Sequence, residues 1–384
     1  SHPEVRGART SLTELQAGDV LCTSSPLARA GFAEAIGNLF APEATGQAPA
    51  GAIFIVGGES FLHCYTRPAP PFPGTTNCAV CNAAQPAALV AGLINGIAAA
   101  IQTQVPSAQV FCWPYSAFTW SGEDRCQLEL IRHLAPGVAF LSNWDTGDRH
   151  PRTGAAFYDY NVVELGPSRQ FAAQHRALTA VGRPHFAKFE CATTPLMFQV
   201  PYLPLPFRWG ERVRRLRRER VTGYISHWRF FGFTGSLPEE LLAEGNWRDE
   251  STTTALRRYC RREFGECPPA LLRGWQTMGR AWDQLPYSAC LAGDRQYYMK
   301  GPLYLGPAHP FILDPQRHYG LSRGFVKLRG DAAEGFADLP FAELKRRHGV
   351  PAYSSDLYWT LPVGADRAIR MLRRAVATWE RGLA

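Results

Sequence analysis

The chain has 384 residues, enough for one large domain or for a barrel-sized domain with a smaller one. Its hydrophobic fraction of 46% excludes an intrinsically disordered chain, and its ten scattered cysteines do not form the compact framework of a small disulfide-rich protein. Because no membrane-length apolar run and no signal peptide is visible, we expect no membrane partner, and a cytoplasmic location is slightly favoured.

Strands and helices are predicted to alternate from about residue 18 to residue 230. The predicted strands cover 18–26, 52–58, 109–115, 137–144, 184–190 and 221–229, and the helices between them cover 28–40, 85–104, 123–133, 168–181 and 208–220. This alternation is typical of βαβ units and a parallel sheet. We therefore predict an α/β fold, a (β/α)8-type TIM barrel whose first two βα units are absent or lie upstream, because a closed barrel needs eight strands. An open doubly wound sheet is the alternative.

The character of the chain changes after residue 236, where the strand pattern stops. Helices are predicted at 252–264, 268–284 and 365–381. The sequence therefore predicts a barrel domain over residues 1–236 and a helical C-terminal region over residues 237–384.

The net charge of +8 suggests a nucleic-acid partner, but the distribution of the charge argues against one. The densest basic segment, 208–220, has apolar positions at Val213 and Leu216 and interspersed glutamates, as in a basic amphipathic helix on a protein exterior. We therefore expect no nucleic-acid partner. The oligomeric state is not predicted.

Two glutamates follow predicted strands that lie far apart in the chain. Glu59 ends the strand at 52–58, and Glu190 ends the strand at 184–190. The carboxyl ends of parallel strands form the ligand-binding edge of α/β sheets. Hydrolysis of a glycosidic bond needs a carboxylic acid to protonate the leaving oxygen and a carboxylate on the opposite face. Glu59 and Glu190 are therefore the candidate catalytic pair.

Aromatic and polar side chains cluster near the same strand ends, and they are the candidates for binding a sugar. Aromatic rings stack on the flat faces of sugars, while charged and amide groups bind the hydroxyls. The candidates are Trp113, Tyr115, Trp144 and Trp228 among the aromatic residues, and His63, Arg67, Asp145 and His227 among the polar ones.

Several short motifs carry a resemblance to a known group of enzymes. With GGESFLHCYTR at 57–67, NCAVC at 77–81, CWPYS at 112–116, the strand ending in Glu190 and YLGPAHP at 304–310, the chain resembles bacterial barrel glycosidases of the family-20 hexosaminidase superfamily. The resemblance implies a TIM barrel that hydrolyses a β-linked sugar, including N-acetylhexosaminides. Family-20 enzymes place Asp before the acid, where this chain has Gly58. The clan of retaining barrel glycosidases, with its acid on strand 4 and its nucleophile on strand 7, fits better and implies Glu59 as acid/base and Glu190 as nucleophile. That clan usually has Asn before its acid, and this residue is also missing here.

Three cysteines near Glu59 indicate a metal site. Cys64, Cys78 and Cys81 form the pattern HC-x13-C-x2-C with His63, close to the spacing of structural zinc ligands. The alternatives are reduced buried thiols and a disulfide between Cys78 and Cys81. Catalysis by a glutamate pair requires no cofactor.

Two other functions remain open. One is a metal-dependent barrel hydrolase with His63, Asp145 or His185 around a catalytic ion, although no HxH or HExxH pair is present. The other is a carbohydrate-binding protein without catalytic activity.

Overall fold

The structure is a computed structural model. Its described strands form two sheets, one of two strands and one of five. It describes residues 3–10, 18–41, 46–56, 64, 78–115, 125–146, 148, 151, 164–189, 204–226, 237–284 and 365–384. The strands are β1 (Arg6–Thr10), β2 (Gly18–Leu21), β3 (Gly51–Ile55), β4 (Gln109–Trp113), β5 (Val138–Asn143), β6 (His185–Lys188) and β7 (Gly223–Ile225).

Helices follow most of the strands. They are α1 (Pro26–Phe40), α2 (Pro86–Gln104), α3 (Arg125–His133), α4 (Arg169–Ala180), α5 (Pro206–Arg218), α6 (Leu237–Trp247), α7 (Thr252–Phe264), α8 (Pro269–Trp282) and α9 (Ala365–Leu383). The helices α1, α2, α5 and α8 begin with proline in their first turn, where the missing N–H has no intrahelical partner to lose.

The main sheet has five parallel strands in the order β3-β4-β5-β6-β7. Its register pairs Gly51 with Gln109 and Ile55 with Trp113. This order confirms the α/β class, but the predicted (β/α)8 TIM barrel is wrong, because the described strands form a curled half-barrel.

The strand β2 accounts for part of the difference. It was predicted to be the first strand of the barrel, but it pairs antiparallel with β1, with Arg6 opposite Leu21. The backbone N–H of Cys22 extends this pairing by donating to the carbonyl of Val5 at 2.8 Å. In the described part of the chain β2 therefore belongs to a separate two-stranded sheet and is not one of the five parallel strands.

The strand β3 is also more exposed than its apolar sequence predicts. Its apolar run is typical of a strand buried on both faces, yet Ile53 is 46% exposed. In the described part of the chain β3 pairs with β4 and has no strand on its other side, which explains the exposure.

The helix α2 is long and apolar enough to cross a membrane by length and composition alone, although no apolar run of this length was expected. Half of its most apolar window is buried inside the protein, and it packs against α1 and α3. Its buried side chains, including Val90, Ile94 and Ile101, belong to the hydrophobic core around β4 and β5. This is the burial expected of a core helix.

The chain forms two compact units, each built from several segments. The first consists of Ser1–Asn143, Gln170–Ala187 and Val221–Tyr224, and the second of Trp144–Arg169, Lys188–Arg220 and Ile225–Ala384. The domain boundary predicted at residue 236 stays a prediction. A second hydrophobic core, including Trp209, Leu241, Leu256 and Trp282, holds α5 to α8 together in the second unit.

Candidate metal centre

Four buried cysteines converge at the edge of the core of the first unit. The sulfur atoms of Cys22, Cys64, Cys78 and Cys81 all lie within 4.8 Å of one another, and these residues could hold a metal ion. Each side chain is at most 6% exposed. The predicted ligands Cys64, Cys78 and Cys81 are therefore brought together, and the structure adds Cys22 to them.

Three separate segments supply these cysteines. Cys22 directly follows β2, while Cys78 and Cys81 belong to a turn that leads through a short 3-10 helix, Cys81–Ala83, toward α2. The turn is closed by hydrogen bonds from the N–H of Asn82 to the carbonyl of Cys78 and from the N–H of Ala84 to the carbonyl of Cys81, each 2.9 Å long. This turn directs two thiols from a Cys-x2-Cys pair toward one point.

Two of the distances between the sulfurs are close to those around a single tetrahedral ion. The Sγ of Cys22 lies 3.8 Å from that of Cys78 and 3.6 Å from that of Cys81. Four thiolates placed about 2.3 Å from one ion in tetrahedral geometry are about 3.8 Å apart. Tetrahedral sulfur coordination is typical of zinc or iron.

The surroundings of the thiols shift their pKa values in opposite directions. Burial raises the pKa of Cys78, but a hydrogen bond with the backbone of Cys81 and hydrogen bonds with the neighbouring thiols outweigh it, so the pKa is lowered overall. Burial raises the pKa of Cys81 to about 11, although the hydroxyl of Ser24, 3.3 Å from its sulfur, acts in the other direction. A cation would reverse the effect of burial, because metal ligation deprotonates a coordinating thiol.

Sequence reasoning missed Cys22 because it lies 56 residues before Cys78. Spacing rules detect ligands that share a turn, as Cys78 and Cys81 do. They do not detect a ligand that strand pairing brings close from a distant part of the sequence. Its position within the predicted strand 18–26 was the available signal.

The predicted sugar-binding residues Trp113 and Tyr115 lie at the carboxyl end of β4, where both are buried. The indole N–H of Trp113 donates to the Asn143 side-chain oxygen at 2.7 Å, and the amide nitrogen of Asn143 donates to the carbonyl of Tyr115 at 3.2 Å. The two rings pack edge to face with centroids 4.9 Å apart. These hydrogen bonds therefore connect the end of β4 to the end of β5.

Tyr115 has a left-handed backbone, with a φ of 49°. This conformation is unfavourable for a bulky residue, and strained residues of this kind concentrate at functional sites. The strain lies at the carboxyl edge of the parallel sheet, where α/β proteins bind their ligands.

The predicted residues Trp144 and Asp145, in the second unit, are also fully buried. The indole N–H of Trp144 donates to the carbonyl of Leu165 at 2.7 Å. Asp145 forms an ion pair with Arg212 at 3.2 Å, and both of these side chains are 0% exposed. The guanidinium of Arg212 also lies over the ring of Phe189, 5.4 Å from its centroid.

The remaining predicted site residues lie outside the described residues. These are the catalytic candidates Glu59 and Glu190 and the candidates for substrate binding His63, Arg67, His227 and Trp228.

Sequence reasoning also missed a buried polar chain in the first unit. The Oγ of Ser142 lies 2.6 Å from Nε2 of His185, whose Nδ1 lies 3.1 Å from Nδ1 of His175. Burial first, and the nearby His175 second, lower the pKa of His185 to about 3. His185 is therefore neutral at physiological pH.

Comparisons with protein families, with curated proteins and with solved structures found no match to this chain.

Proposed function

We propose that Cys22, Cys64, Cys78 and Cys81 bind one structural zinc ion. The observation that carries this proposal is the convergence of four buried thiols within 4.8 Å of one another. A site closed by four protein ligands leaves no open position for a substrate, which is the arrangement of structural zinc. Zinc has no redox chemistry of its own, so its role here is to hold the chain in place.

The ion would join three separate segments of the chain. It would tie the end of the β1–β2 hairpin, through Cys22, to the turn that precedes α2 and to Cys64. Because an unfolded chain does not present four thiolates at one point, the free energy of zinc binding adds to the free energy of folding.

Elemental analysis tests this proposal directly. The purified protein should carry one zinc ion per chain, and cobalt substitution should give the thiolate-to-cobalt charge-transfer absorption of a tetrahedral sulfur site. The C64S variant should lose the ion, while the matched control C112S should retain it, because Cys112 is a buried thiol of β4 outside the cluster. Wild-type protein without bound metal, or equal zinc content in both variants, would contradict the proposal.

A second candidate function is hydrolysis of a β-linked glycoside by Glu59 and Glu190 with retention of configuration. It is supported by the parallel direction of β3 and β6 in one sheet. Val56 follows β3 three residues before Glu59, and Phe189 follows β6 immediately before Glu190. Their backbone N–H groups bond to the carbonyls of Trp113 and Ile225, so the strand pairing extends to Val56 and to Phe189.

A screen of aryl β-glycosides, including N-acetylhexosaminides, tests the second candidate. For any substrate that the wild-type protein hydrolyses, the E190Q variant should show a kcat lower by several orders of magnitude, while it still binds the sugar. Retained turnover in E190Q would exclude Glu190 as the nucleophile. Binding without turnover by the wild-type protein would favour a carbohydrate-binding protein.

The metal-dependent hydrolase is less well supported. Among its proposed ligands, Asp145 is engaged by Arg212, and His185 is buried between Ser142 and His175. A catalytic ion needs ligands that face an open position for water or substrate.

A further inference from the structure

The helices α8 and α9 pack together in the second unit. Gly274 of α8 and Gly382 of α9 approach so closely that a Cβ added at Gly274 would lie 2.6 Å from the carbonyl oxygen of Gly382. The side chain of Gln284, just beyond α8, lies 3.2 Å from the hydroxyl of Thr378. The pair therefore presents a fixed surface.

Exposed arginines line this helix pair. Arg273 and Arg280 are seven residues apart on α8, and Arg370, Arg374 and Arg381 recur at spacings of four and seven on α9, so each set follows one face of its helix. All five are exposed. We call these five residues the basic face.

Hydrogen bonds between the helices link the side chain of Arg381 to the backbone of Arg280. Arg381 donates to the hydroxyl of Thr378 at 3.0 Å, and the amide of Gln284 bridges this hydroxyl and the carbonyl of Arg280, at 3.2 Å from each. The guanidinium of Arg280 bonds to Thr277 at 2.7 Å on the same helix. Arg280 and Arg381 are thus linked through one polar contact between the helices.

Among the residues that the structure describes, no carboxylate pairs with the basic face. Within the described ranges none of its five arginines forms an ion pair, and α8 contains no acidic residue. On α9 the carboxylates are Asp366, in the first turn, and Glu380. Neither pairs with the basic face in the described part of the chain. A cluster of unpaired guanidinium groups attracts anions.

The helix α5, which has the densest basic sequence, behaves differently. Glu211 binds both Arg214 and Arg215, at 2.7 and 2.8 Å, and Arg217 pairs with Asp249 at 3.0 Å. Local density of arginine in the sequence therefore does not locate the surface with unpaired positive charge.

We propose that the basic face binds the phosphate backbone of a nucleic-acid duplex without sequence preference. Arginine pairs with phosphate through several donors at once, and five such groups on a rigid pair of helices can contact successive phosphates. This inference is independent of the proposed zinc site and of glycoside hydrolysis, and it replaces the expectation of no nucleic-acid partner.

The composition of α8 favours nucleic acid over a lipid surface. A helix that binds membranes carries large apolar side chains on the face opposite its cationic residues. The helix α9 has an exposed apolar row, Ile369, Val376 and Leu383, but α8, which supplies two arginines of the basic face, has no large apolar side chain that is exposed. The basic face also lacks the apolar centre typical of a stable protein interface.

Fluorescence anisotropy of the full chain with a labelled mixed-sequence duplex tests the proposal. We expect binding with Kd in the range of about 1–100 μM at physiological salt, and log K falling with log salt at a slope of up to about −4.5 for five phosphate contacts. The triple variant R370Q/R374Q/R381Q should bind at least tenfold more weakly, with a slope shallower by about 2 to 3. All three residues are exposed, so the fold, checked by circular dichroism, should persist.

The control R176Q/R257Q/R261Q removes the same charge from exposed arginines outside the basic face. Retained affinity in this control supports the proposal, whereas equal weakening of both variants would reduce the effect to net charge and overturn it. Absence of duplex binding at 50 mM salt would overturn it as well. Binding to phosphatidylserine vesicles but not to the duplex would overturn it in favour of a lipid partner.

Discussion

The imidazole of His185 shows how burial turns a common side chain into a determinant of pH stability. It lies between the hydroxyl of Ser142 and the ring of His175, and the ring of Phe171 stacks on it with centroids 4.3 Å apart. The folded state therefore holds this histidine in its neutral form. An unfolded chain would protonate it at ordinary acidic pH.

This difference predicts acid destabilisation. The pKa falls from 6.5 to about 3 on folding, so the unfolded state binds more protons over that interval. The contribution of His185 to stability is complete above pH 6.5 and is lost as pH falls toward 3, by about 1.4 kcal/mol per pH unit. Denaturant unfolding between pH 7 and pH 4 measures this slope. The double variant S142A/H185F should flatten it, and an unchanged slope would contradict the assignment.

The buried pair of Arg212 and Asp145 makes a second prediction for single residues. Removing one partner leaves the other charge buried, so R212M should lower the free energy of unfolding by about 3–5 kcal/mol. The double variant R212M/D145N should recover part of this loss, because no carboxylate is then left without its cation. A matched control is R214M, at an exposed position on α5, where water screens the charge and we expect little change in the free energy of unfolding. Equal losses in R212M and R214M, measured by denaturant unfolding, would refute this account.

At the scale of elements, close backbone approach decides how helices pack. The contact between Gly274 and Gly382 leaves no room for a side chain, while Gly279 on the same helix α8 has its nearest neighbour 4.0 Å from the position of an added Cβ. Two glycines five positions apart thus have different roles. One permits packing, and the other only weakens the helix.

The changes in the free energy of unfolding caused by the two alanine substitutions should therefore differ in sign. G274A should destabilise the protein by about 1–3 kcal/mol, because the helices must separate. G279A should be neutral or stabilising by up to about 1 kcal/mol through helix propensity. Thermal unfolding of the two variants measures the difference, and similar melting temperatures would show that the close approach is not required.

The positions of helices and strands were predicted far better than the pairing between strands. A helix at 85–104 and a strand at 137–144 correspond to α2 and β5 within a residue or two, because apolar spacing and proline mark them locally. The strand β1, with the sequence RGART, has no apolar alternation, so neither it nor its pairing with β2 was expected. Because this pairing was not predicted, Cys22 was not recognised as a ligand. Strand pairing brings together residues that are distant in sequence.

At the scale of the whole molecule, the metal centre links local chemistry to global stability. Binding of an ion to the folded state alone adds about 4 kcal/mol when free zinc is 1,000 times its dissociation constant. A chelator should therefore lower the melting temperature of the wild-type protein markedly, and added zinc should restore it. The C64S variant should melt at the same temperature with and without chelator. A melting temperature of the wild type that does not respond to chelator would argue against zinc as a structural element.

The ligands of the proposed zinc site also impose an order on biosynthesis. Cys22 leaves the ribosome long before Cys81, and the last thiol comes from a turn 59 residues further along. A nascent chain that ends before this turn has only two of the four thiols of the cluster, Cys22 and Cys64. Full metal loading must wait until the turn has emerged, so polypeptides stalled earlier would remain vulnerable to oxidation and proteolysis.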